Sequence, residues 1–142
     1  MGNPDVITLC IGSNDFIMNK KDVKETFRNF VALVNAIAAK RPNSKIVGTT
    51  LPMVPNNRSA TEKALAFNKL LLSEYAKPGH GELPDNLNLL DFVARFQDLV
   101  QSGKVPRDLK GYCARDAHPN WKGHDLIARA FAEKICEACP SE

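Results

Sequence analysis

An α/β fold built around a parallel sheet is what the sequence predicts, on two observations. Short, nearly continuous apolar runs alternate with longer stretches whose apolar residues recur at steps of three and four. The resulting order is β-α-β-α-β-α, an alternation that implies right-handed crossovers with helices on the faces of the sheet. Asp5–Ile11 is the first apolar run, closed by Gly12, and reads as a buried strand. Val23, Phe27, Phe30, Val31, Val34, Ile37 and Ala38 form one face of a helix that Pro42 stops. Lys45–Thr50 is the second strand, ended by Pro52 and Pro55. Ser59 and Glu62 have the spacing of a capping box, and Leu65, Phe67, Leu71, Leu72 and Tyr75 carry a second helix onward. Leu87–Phe92 is the third strand, with a short helix over 93–100. Residues 102–117 read as irregular, and Pro119 and Asn120 open a last helix. Its inner face is Leu126, Ile127, Ala130, Phe131 and Ile135, with Lys134 the one polar position.

Composition narrows the functional classes. The 142 residues suit a single domain spanning 1–142. Nineteen basic against sixteen acidic residues is too even a balance for a nucleic-acid footprint, and no Lys/Arg run occurs. No apolar run approaches the ~20 residues of a membrane span, and the first ten residues lack the pattern of a signal peptide. Nothing in the sequence selects a compartment. Of the four cysteines, Cys10 lies in an apolar run and is expected to be buried. Cys136 and Cys139 form a C-x-x-C at the end of a helix, where the dipole opposes a thiolate, so neither redox chemistry nor a metal site is expected there.

Two segments carry the residue types that chemistry needs. In Gly12-Ser13-Asn14-Asp15 the glycine allows a sharp turn at a strand end, and Asn14 beyond it can aim an amide N–H at an oxyanion. The alternative is that Asn14 and Asp15 only cap the turn. In Asp116-Ala117-His118-Pro119-Asn120, a histidine stands just before a helix with a carboxylate close by. Asp116 can fix one tautomer of His118 and leave the other nitrogen as general base. Asn120 is expected to cap the helix, and Gly123 to allow close packing. Trp121 is expected to pack at the helix start, His124 to be structural, and His80, in a polar loop, to have no role.

Taken together, ITLCIGSND and DAHPNWKGH resemble two motifs of the SGNH, or GDSL, hydrolases. The apolar strand ending in G-x-N-D matches Gly12, Asn14 and Asp15. The motif D-x-x-H-P-N-x-x-G-H matches His118, Pro119, Asn120, Gly123 and His124. The resemblance implies a three-layer αβα, flavodoxin-like sheet and a serine esterase acting on acyl or acetyl esters of small molecules, with no cofactor. It also implies Asn14 as oxyanion donor, with Gly12 supporting the cleft, and His118 as general base.

The chain departs from that pattern in two places. No G-D-S occurs, so the family's nucleophile has no counterpart; Ser13 occupies the motif's variable position. Arg115 stands where the family has its aspartate, three residues before the histidine, and Asp116 is one residue late, so its orienting role depends on a bulge. The match begins at the family's third strand, so the chain reads as the C-terminal two-thirds of the domain, lacking the first strands. Asp5–Ile11 is then an unpaired edge, open to a homodimer partner or a second chain. The expected function is the C-terminal part of an esterase, inactive without its serine. The rival readings are a non-catalytic binding module with a remnant cleft, or a partner completed by a second chain.

Overall fold

A computed structural model of the chain describes residues 4–54, 57–106, 111–112 and 118–139. Its elements are β1 (Val6–Leu9), α1 (Ser13–Ile17), α2 (Val23–Lys40), β2 (Lys45–Thr49), α3 (Arg58–Tyr75), β3 (Leu87–Leu90), α4 (Phe92–Gln101) and α5 (Trp121–Ala138), with a short 3₁₀ turn at Pro78–His80. The sheet is parallel in the order β1-β2-β3, with Val6 beside Lys45 and Ile46 beside Leu87 in register. The chain is thus an α/β layered structure of the expected flavodoxin-like kind, with β1 at an edge of the described sheet.

Strand alternation assigns the two faces. Ile46 of β2 and Leu87 and Leu89 of β3 join a core with Phe30 and Val34 of α2 and Phe67 and Leu71 of α3. Phe67 is the hub of that layer, meeting the rings of Phe16, Phe27 and Phe30 edge-on at 6.3, 6.4 and 5.8 Å. These are favourable geometries for aromatic quadrupoles. Val47 is fully buried yet outside that cluster. By alternation it points to the opposite face, and α5 packs on β2 and β3. Two helices on one face are what consecutive right-handed crossovers produce when strand order follows chain order.

The helix ends show how the sequence sets its boundaries. Asp22, Asn57, Asp91 and Asn120 are N-caps whose side chains accept backbone N–H bonds. The cap of α3 is therefore Asn57, accepting from Ala60 N at 3.0 Å, and not Ser59, which lies exposed within the first turn. Both residues suit the role by type; the chain enters the helix two residues earlier than the capping-box spacing implies. Phe92 begins α4 instead of ending β3, because Asp91 caps at that point.

Two other expectations, for Cys10 and His80, are corrected by packing. Cys10 is exposed: it lies one residue past the end of β1, whereas Leu9, the strand's last residue, packs against the core. His80 has a fastening role. Its ring stacks on Tyr75 at 4.1 Å, and Nδ1 lies 2.7 Å from the Tyr75 carbonyl, which can only accept, so Nδ1 donates. Cys136 and Cys139 are free and exposed. Lys134 ends in an ion pair with Glu137.

Candidate active site

The first candidate loop follows the carboxyl end of β1. Gly12 has φ +122°, a conformation that L side chains rarely adopt, and a Cβ there would lie 3.2 Å from Leu51 Cδ1. The glycine thus serves both the turn and the close approach of the next loop. Asp15 N donates to Gly12 O at 3.1 Å, closing the turn into α1. No side chain caps α1. Asn14 is exposed, and its carbonyl accepts from Met18 and Asn19 N–H. Among the described residues its side-chain amide makes no hydrogen bond, whereas Asp15 accepts from Asn19 Nδ2 at 3.3 Å. Capping is therefore not what occupies Asn14.

Neighbouring residues hold this loop from behind, and sequence reasoning missed them. Asn68 of α3, buried in the core, accepts from Leu51 N at 2.7 Å and donates to Leu51 O at 2.8 Å. Thr61 Oγ1 accepts from Val54 N and donates to Val54 O, at 3.1 and 2.9 Å. Two α3 side chains thus satisfy the backbone of the loop after β2, and Leu51 in turn abuts Gly12. The available signal was Asn68 itself, a polar residue on the face of α3 that carries Ala64, Phe67 and Leu71.

The second loop ends at α5. His118 is exposed; Asp116 lies outside the described residues. Asn120 Oδ1 accepts from Lys122 N and Gly123 N at 3.0 and 3.2 Å, capping α5 as expected. Its amide Nδ2 donates to Gly111 O at 2.7 Å, and its backbone N donates to Tyr112 O at 3.0 Å. Gly123 is buried, and a Cβ there would sit 2.4 Å from Tyr112 O. The chain thus departs at Tyr112 and returns at Asn120 with both ends tied, and His118 is two residues from the tie. Trp121 is 74% exposed, with Lys122 Nζ 5.5 Å from its ring centroid, so it does not pack at the helix start. His124 is exposed on α5 and plays no part in the core.

A model of the GDSL-like lipase/acylhydrolase family matches residues 2–126. The chain belongs to that family. The match runs from before β1 through Asn14 and His118 and ends within the second turn of α5, so it takes in both candidate loops of this acylhydrolase-family chain. A search of curated proteins found no match. No helix among the described residues is long and apolar enough to cross a membrane, and no group of three metal-ligating side chains is present among them.

Proposed function

We propose that this chain contributes the oxyanion donor and the general base of an ester hydrolase acting on acyl or acetyl esters of small molecules. The observation that carries the reading is the Asn14 amide, without a hydrogen bond among the described residues, on a tight glycine turn directly beyond the carboxyl end of β1. A donor held ready and unengaged is what stabilising a developing oxyanion requires. In this reading His118 removes the proton from the attacking hydroxyl and returns it to the leaving alcohol, and Asp116 orients the ring. The attacking serine comes from outside these 142 residues, on a strand ending in G-D-S that pairs with the open side of β1.

Fusing such a strand ahead of the chain tests this. Hydrolysis of p-nitrophenyl acetate and fluorophosphonate labelling should appear in the fusion only. Asn14→Ala should lower kcat by roughly 10²–10³-fold, and His118→Ala should abolish turnover. Labelling of the unfused chain, dependent on His118, would show that a serine within it is the nucleophile. The absence of G-D-S favours one second reading, a non-catalytic module. Saturable binding of acyl esters by the fusion without turnover would select that reading.

A further inference from the structure

We infer that the groove between α4 and α5 binds small amphiphilic carboxylates, at a site separate from the Asn14 and His118 loops. The groove encloses about 230 Å³. Its floor is apolar: Phe92, Phe96 and Leu99 project from α4, and Leu126 and Ala130 from α5. Its remaining lining is charged and unbalanced. Arg95, Lys104 and Arg129 stand against the single carboxylate of Glu133.

The disposition of these charges identifies the ligand class. Arg95 reaches from α4 to Glu133 on α5 at 2.5 Å, whereas the other ion pairs among the described residues lie within four residues of each other. One lining residue is therefore already a carboxylate held by a guanidinium across an apolar floor. Arg129 is engaged by Asp125, which does not line the groove. Lys104 has no ion-pair partner among the described residues, so one cation remains for an incoming anion. An apolar floor beneath an unmatched ammonium suits a ligand with a hydrocarbon tail and one acidic head. A polyanion would strand its charge on phenylalanine, and a neutral alcohol would leave Lys104 unused. At roughly 30 Å³ for each water-sized group, the space holds about eight heavy atoms, the size of hexanoate.

This inference does not depend on the ester-hydrolase reading, and its test involves no hydrolysis. The ¹⁵N-labelled chain is titrated with sodium hexanoate, hexanol and sodium acetate while amide shifts are followed. Hexanoate should shift amides in 92–104 and 126–133 saturably, with a Kd on the order of millimolar. Hexanol and acetate should each bind roughly tenfold more weakly, lacking the head or the tail. Lys104→Gln should weaken hexanoate several-fold and leave hexanol unchanged. Glu133→Gln should tighten hexanoate several-fold by removing the resident carboxylate from Arg95, an effect that a merely apolar groove would not show. Equal responses to hexanol and hexanoate, shifts confined to other regions, or an unchanged Kd in Glu133→Gln would overturn the assignment.

Discussion

Glu74 is a carboxylate largely withdrawn from water, and its partners explain how that is tolerated. Lys77 Nζ lies 2.5 Å from Oε2 and Glu82 N donates to Oε1 at 2.8 Å. These contacts, the Lys77 hydrogen bond foremost, hold its carboxyl below the usual glutamate range. A depressed folded-state value means that the stabilisation is complete above the unfolded value, ~4.3, and is lost as pH falls through the folded one. Glu74→Gln should therefore lower the urea midpoint at about pH 7, and the gap to the parent should narrow as the pH is taken below ~4.3. A gap independent of pH would show that packing, not charge, is what Glu74 supplies. At this scale the sequence is legible only where a residue's role is local. Gly12, Asn120 and Gly123 each have a local part, in a turn or a helix start, and motif position is enough to find that part, though not their contacts with Leu51, Gly111 and Tyr112. Asn68 acts on Leu51, seventeen residues away, through an arrangement that exists only after α3 has docked. Periodicity can mark it as a polar residue on an apolar face, but not name its partner.

Elements were more readily anticipated than their ends. The three strands and the long helices follow from hydrophobic spacing, since the core-facing stripe of α2 has to be continuous to bury Phe30 and Val34. Boundaries depend on which of several suitable polar residues wins the cap. For α3 the competition between Asn57 and Ser59 can be measured. Asn57→Ala should destabilise the chain by about 1 kcal/mol, and Ser59→Ala should change it little, because Ser59 makes no capping bond. Thermal melts of the two variants decide it, and a larger loss at Ser59 would restore the capping box. The same limit applies to β1. Its apolar run suggests burial on all sides, whereas burial also depends on how many strands flank it, a fact not written in the run itself.

For the whole molecule, the sheet order ranks local stabilities. β2 is flanked by β1 and β3, and Ile46 and Val47 are fully buried; β1 has a neighbour on one side and is only partly covered. Hydrogen exchange should be slowest in β2, whose opening breaks two ladders, intermediate in β3 and fastest in β1; both of these break one ladder on opening, but β1 is the less covered. Protection in β1 equal to that in β2 would reveal a partner on the open edge, either a second copy or another chain. The parallel architecture and family membership could be read from the alternation and the two motifs. The nucleophile carries no such signal, because no G-D-S occurs in the sequence.

The knot of contacts joining Gly111, Tyr112, Asn120 and Gly123 behaves as a clasp. It joins two stretches of chain, the backbone at 111–112 and the start of α5, through the side chain and backbone of Asn120. A substitution at Asn120 would therefore act on both stretches at once, two residues from His118.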